Sequence, residues 1–206
     1  MATRTLVTVS AGMSTPSSTR LLADRLTSAV ERSLTERGDE VRTRTVELRE
    51  MAHDIVNAMT TRVPTGELRS VLEDLAHADG VIAVTPVFNA SYSGLFKSFF
   101  DVVEPEDLDG KPVLIGATGG SPRHSLVLEH ALRPMFAHTR SVVAPTGVYA
   151  ASEDWGTGES GGRELSARID RAASQLAALV GQSVPSTPDP YEEPVPFSEL
   201  MSGLGG

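Results

Sequence analysis

Cysteine is absent from the 206 residues, and lysine nearly so, standing only at Lys97 and Lys111. The first absence removes thiolate nucleophiles, CxxC redox pairs, zinc ribbons and iron–sulfur ligation together. The second leaves arginine as almost the sole cation, scattered rather than clustered, in a chain of formal charge −9. Nucleic acid is therefore not an expected partner, because a phosphate backbone demands a dense basic patch. Long apolar runs are also missing. None approaches the roughly 20 residues of a membrane helix, so no membrane partner is expected either. The opening Met1–Arg4 runs straight into Thr5–Val9, too short and too β-branched for a signal h-region, and a cytoplasmic protein is expected. The five histidines, His53, His77, His124, His130 and His138, show neither metal-ligand spacing nor a triad pattern. No metal site and no catalytic side chain is assigned.

What is present is a regular alternation. Thr5–Val9 reads as a strand, and Leu22, Leu26, Ala29, Val30 and Leu34 recur at helical spacing within Ser18–Arg37. Val41–Leu48 is a second strand whose charges at Arg42, Arg44 and Glu47 suit a sheet edge. Met51–Arg62 reads as a short helix within a long connection, and Leu68, Val71, Leu72 and Leu75 mark a helix ending near Ala78. Val81–Thr85 and Pro112–Ala117 are apolar runs of the kind buried on both faces. Helices are expected over about Ser93–Val103, Ser125–His138 and Gly162–Val180, with a fifth strand over Ser141–Val148. Strands alternating with helices predict an α/β fold, a five-stranded parallel sheet wrapped on both faces. Residues 1–180 form that domain, and 181–206 read as an irregular proline-bearing acidic tail that either docks through its apolar end or stays unpacked. Ligands of such sheets bind beyond the carboxyl ends of the strands, which directs attention to the loops after strands one, three and four.

The first loop, Ser10–Thr19, carries six hydroxyl side chains in ten residues directly before a helix. A helix N-terminus offers unpaired N–H donors and attracts phosphate, and hydroxyls at Ser10, Ser17, Ser18 and Thr19 add donors without charge. Neither GxxxxGK[ST] nor GxGxxG occurs there, so the loop suits a terminal phosphomonoester such as that of FMN, where a flavodoxin-type strand order would place it. The competing reading is that Ser17 or Ser18 is only a helix cap. In the second loop, Thr85-Pro86-Val87-Phe88-Asn89-Ala90-Ser91-Tyr92, Pro86 stops the strand and Asn89 can both donate and accept along the edge of an isoalloxazine. Phe88 or Tyr92 could cover a ring face; equally, the aromatics are packing and Asn89 a turn residue. The third loop, Thr118-Gly119-Gly120-Ser121, lets backbone approach a ring closely, or is a generic turn.

Taken together, the hydroxyl loop before Leu21-Leu22-Ala23, the run Thr85-Pro86 … Asn89 … Ser91 … Gly94 … Lys97 … Asp101, and Thr118–Ser121 resemble the NAD(P)H-dependent FMN reductases over about Thr3 to Val180. More narrowly, the chain looks like the branch that partners luciferase-like flavin monooxygenases. The resemblance implies a flavodoxin-like three-layer sandwich, FMN and NADPH or NADH as cofactors, a monooxygenase partner, and a homodimer or homotetramer with sites near the interface. It implies Ser10, Ser17, Ser18 and Thr19 at the FMN phosphate, Pro86, Val87, Phe88 and Asn89 at the ring edge, and Thr118, Gly119, Gly120 and Ser121 against the ring and its ribityl side. Two departures stand out: Met13 lies near where many relatives have arginine, and Val87-Phe88 replaces an acidic residue followed by tyrosine. Arg123 is the candidate for a nicotinamide-cofactor phosphate and His124 for a further contact. Lys97 and Asp101 either pair at i, i+4 or meet substrate. Ala150–Gly162, which holds the single tryptophan Trp155, is either a flap near a partner's flavin or a surface loop. The implied reaction is hydride transfer from nicotinamide to FMN. The alternatives are an FMN-bound reductase of quinones, azo dyes or metal oxyanions, and an electron carrier without a nicotinamide site.

Overall fold

In the computed structural model of the protein, residues 2–155 and 161–182 are described. Strand β1, Thr3–Ser10, buries Leu6–Ser10 without interruption, as a strand covered on both faces must. Helix α1, Ser18–Glu36, turns Leu22, Leu26, Val30 and Leu34 inward. Strand β2, Glu40–Glu47, is the sheet edge that its charges predict. A 3-10 turn at Leu48–Met51 leads into α2, Ala52–Thr61, and then α3, Gly66–His77. Strand β3, Gly80–Phe88, folds back through the two-residue β4, Ser91–Tyr92, into the short α4, Gly94–Phe100. Strand β5, Pro112–Gly119, is followed by irregular helix and by α5, Arg133–His138. Two short strands, β6 (Val142–Val143) and β7 (Val148–Ala151), precede α6, Gly161–Gln182.

The parallel order is β2-β1-β3-β5-β6, with β7 also paired to β5 and β4 joined antiparallel to β3. The order reverses between β1 and β3, the switch point of a flavodoxin-type sheet. Helices α1 and α6 pack on one face around Leu26, Ile82, Leu114 and Leu176. Helices α2 to α5 cover the other around Ile55, Leu75, Phe96, Phe99 and Phe136. No helix among the described residues is long and apolar enough to cross a membrane. The proposed tail, beyond Gln182, lies outside the described residues.

Three expectations need correction. The sheet has seven strands rather than five, because the fifth position is split and β4 is added. The split falls at Pro145, which has no N–H for a ladder; instead Arg133 donates to the Ala144 and Pro145 carbonyls at 3.1 Å each, and the Thr146 N–H goes to Gln175 Oε1 at 2.8 Å. Pro86 does not stop its strand, since β3 stays paired to β5 through Pro86↔Thr118. Its missing donor faces an open side there, because β1 pairs β3 only as far as Ser10↔Val84. The helix expected over Ser125–His138 follows a 3-10 turn at Pro122–His124 and is itself a bare turn at residues 125–126, a π-helical turn at Leu128–Leu132 and then α5. Pro134 cannot donate to the carbonyl four residues back, and the wider turn accommodates that loss.

Lys111, only 9% exposed, donates from Nζ to the carbonyls of Leu75, Ala76 and Ala78 at 2.7–2.9 Å and so closes the end of α3. Burial pushes its ammonium down to about 8, against the opposing pull of Asp107 and Asp79. Replacing Lys111 with Met removes these three bonds, leaving the Leu75 carbonyl with the Ala78 N–H, at a cost of about 2 kcal/mol, a fall of roughly 4–8 °C in melting temperature for a chain of this length. Between about 8 and the ordinary 10.5 the folded chain binds fewer protons here than the unfolded chain, so this residue's contribution to stability rises with pH across that window. The gap in melting temperature between wild type and Lys111→Met should therefore widen from neutral to alkaline pH; a gap that narrows would contradict the assignment.

Candidate functional site

The sheet's carboxyl end brings the three singled-out loops to one cleft of about 450 Å³. Ser17, Ser18 and Thr19 stand on one side, and Pro86, Val87, Phe88, Thr118, Gly119 and Gly120 on the other. Met13 and Ser14 from the first loop, with Ser152 and Trp155 from a turn after β7, complete the lining. Among the described residues, no lining side chain is ionisable.

The first loop is folded around Ser17. Its Oγ accepts the Arg20 N–H at 3.2 Å and caps α1, so the competing cap reading is right about that bond. The hydroxyl keeps its own proton to donate, and the first-turn N–H groups have no carbonyl behind them within the helix. Gly12 permits this arrangement: a Cβ there would fall 2.1 Å from Ser17 Oγ. Ser10 sits beneath the cleft rather than in its lining; it is fully buried, and its Oγ has no hydrogen-bond partner. A buried hydroxyl left without a partner calls for one from outside the chain, a water or a bound polar group. Arg20 does not supply the charge that Met13 fails to provide. Its guanidinium is held by Asp24 and Glu47 at 2.7 Å each, and the Asp24 hydrogen bond leads the causes that raise its pKa. Arg49 reaches the loop only at Thr15.

The second and third loops are held as firmly. Thr85 Oγ1 accepts the Ser93 N–H at 3.0 Å and donates to the Pro86 carbonyl at 3.0 Å. Asn89 and Ala90, both at positive φ (49° and 66°), form the tip of the β3–β4 hairpin, outside the cleft lining. Phe88 lines the cleft at 49% exposure, whereas Tyr92 turns away to pack on Phe96 with ring centroids 6.0 Å apart. Thr118 Oγ1 shares a buried 2.7 Å hydrogen bond with Thr19 Oγ1, tying the third loop to the first. Ser121 lies outside the lining, and its carbonyl accepts from Tyr149 OH at 2.7 Å. Arg123 and His124 are on an exposed 3-10 turn away from the lining. Lys97 and Asp101 pair with each other on α4.

Trp155 enters the cleft of its own chain, with Arg25 over its ring at 5.1 Å; the rest of the expected flap, 156–160, lies outside the described residues. Tyr149 carried no signal in the sequence, because its role depends on β7 lying beside β5. A larger cavity, 1010 Å³, lies among α2, α3, α4 and α5 and contains His77, His130, His138 and the Lys97–Asp101 pair. None of the cofactor residues implied by the resemblance lines it, so its size does not make it the site. Among the described residues no cluster of three or more metal-ligating side chains occurs.

The cleft thus offers a neutral hydroxyl nest at a helix end and a wall of backbone and glycine, with no acid or base among the described residues of its lining. Residues 5–156 match the family model described as NADPH-dependent FMN reductase. The chain is 36% identical over 176 residues to an FMN reductase (NADPH) of Pseudomonas aeruginosa, covering 85% of this chain and 92% of that one. It is 35% identical over 176 residues to the NADH-dependent FMN reductase SfnF of Pseudomonas fluorescens, covering 85% and 91%. Among solved structures, an oxidoreductase from Corynebacterium diphtheriae superposes with a TM-score of 0.84 at 49% identity, covering 88% of this chain and 99% of that one.

Proposed function

The chain belongs to the NADPH-dependent FMN reductase family, and from that premise we propose that it passes hydride from NADPH or NADH to FMN seated in the cleft of the three loops. The observation that carries the placement is the buried, partnerless Ser10 Oγ beneath Ser17, Ser18 and Thr19. These groups fit a phosphomonoester: hydroxyl donors and a helix N-terminus converge where a doubly charged oxygen cluster would be welcome.

FMN, when bound, supplies the hydride acceptor. The chain's own part is to bind and orient. Ser17, Ser18, Thr19 and the first turn of α1 hold the phosphate. The backbone of Pro86–Phe88 meets the ring edge, and Thr118–Gly120 flank the ring without bulk. Phe88, half exposed at the mouth, presents a flat surface to an incoming nicotinamide. Direct hydride transfer needs no protein acid or base, and the described residues of this lining provide none. We further propose that the reduced FMN serves a flavin-dependent monooxygenase, and that the protein works in the cytoplasm as a homodimer or homotetramer.

The test is oxidation of NADPH and of NADH by the purified protein, with and without added FMN. Turnover that rises and saturates with free FMN is expected. An FMN-bound protein that neither nicotinamide reduces would be an electron carrier, and a protein that does not bind FMN would end the reading altogether.

A further inference from the structure

The third loop contains two adjacent glycines, with no side chains to hold it between its ends. One end is anchored by the Thr118–Thr19 hydrogen bond. The other is anchored by Tyr149, on β7 opposite Ala117, 4% exposed, whose OH donates to the Ser121 carbonyl at 2.7 Å. The fit between Tyr149 and this loop is close: a Cβ added at Gly119 would fall 2.1 Å from the Tyr149 hydroxyl oxygen and 3.2 Å from Cζ. Tyr149 is itself braced. Arg168 donates to its carbonyl at 3.0 Å and to Asp154 Oδ1 at 2.9 Å, while Asp154 Oδ2 accepts the Ala151 N–H at 2.7 Å. Burial, with the charge of Asp154, raises the phenol pKa, so it remains a proton donor. The same brace fixes the turn that carries Ser152 and Trp155 into the cleft.

We propose that Tyr149 is a positioning residue of the flavin site, setting the height of the Gly119-Gly120 wall through the Ser121 carbonyl; this rests on the reading that Thr118–Gly120 flank the flavin ring. Gly119 and Tyr149 form a matched pair, in which the absent side chain of one makes room for the hydroxyl of the other. Nothing in this role depends on the phosphate, so losing it must affect FMN and riboflavin alike.

Tyr149→Phe keeps the ring and removes the hydrogen bond. It is expected to weaken FMN and riboflavin by the same factor, about three- to tenfold, in fluorescence titrations, with a shifted absorption spectrum of the bound flavin. Gly119→Ala alone is expected to cost more than about tenfold, because a methyl group meets the hydroxyl in a packed interior. Combining the two leaves Cζ as the nearest ring atom, and affinity should return to within about threefold of Tyr149→Phe alone, a coupling that independent sites do not show. A purely structural tyrosine would lower the melting temperature of the ligand-free protein while leaving affinity and spectrum unchanged well below melting, and that result overturns the proposal. So does a Gly119→Ala penalty that is equal in both backgrounds. If the wild-type protein binds neither flavin, the underlying reading of the site fails first, and the proposal goes with it.

Discussion

Changing Ser17 and Ser18 together to alanine is expected to weaken FMN by about a hundredfold while leaving riboflavin within about threefold of its wild-type affinity. A hydrogen bond to a charged group contributes about 1.5–3 kcal/mol, so at the low end of that range two lost hydroxyl donors amount to about 3 kcal/mol, roughly two orders of magnitude. Riboflavin has the same ring and ribityl chain but no phosphate, and it should not register the loss. Ser17 also caps α1, and removing a cap costs about 1 kcal/mol of stability. The melting temperature of the ligand-free double variant must therefore be measured beside the titrations. The contrast is sharp because Arg20 is committed to Asp24 and Glu47, and among the described residues no cation lines the cleft to compensate. Equal loss for both flavins would remove the phosphate from this loop.

Phe96→Ala is expected to have the largest effect on stability. The ring is fully buried at the centre of an aromatic cluster, with centroids 4.8 Å from Phe100, 6.4 Å from Phe136 and 6.0 Å from Tyr92. Truncating such a residue costs about 3–5 kcal/mol, which for a chain of this length lowers the melting temperature by roughly 10 °C. Phe96→Leu, which refills most of the space, should recover more than half of that loss by calorimetry. A fall of only a degree or two for the alanine variant would mean that the cluster does not hold α4 and the β3–β4 hairpin to the sheet.

Much of this fold can be read along the chain, and the exceptions share a cause. Val81–Thr85 and Pro112–Ala117 announce buried strands because both faces are covered and apolar residues run without a break. The hydroxyls of Ser10–Thr19 announce a polar loop ahead of a helix, and the structure sets Ser17, Ser18 and Thr19 of that loop in the cleft lining. Prolines misled the reading twice, in opposite directions. Pro145 breaks a run that looks continuous by β-branching, because the ladder there needs a donor. Pro86 breaks nothing, because β1 has already ended beside it. Both outcomes depend on which strand lies alongside, and no local pattern records that. Asn89 is chemically suited to a flavin edge, but the positive φ at the hairpin tip gives it a turn position outside the lining. Tyr149 was hidden for the same reason as the prolines, since it matters only once β7 is laid against β5; Trp155 stood out as the single tryptophan of a candidate flap, but only that pairing sets it in the cleft of its own chain.

Among the described residues, the cleft lining holds no ionisable side chain, and this also bears on where protons come from. Ser, Thr, Gly, Pro, Val, Met, Phe and Trp do not titrate between about pH 5 and 9, so none of these lining residues supplies a proton to the reaction. Acidity then reaches the chemistry through the ligands, chiefly the second ionisation of the phosphate. Across the neutral range these described lining residues keep one charge state, and the cleft they form responds to pH only through what binds in it.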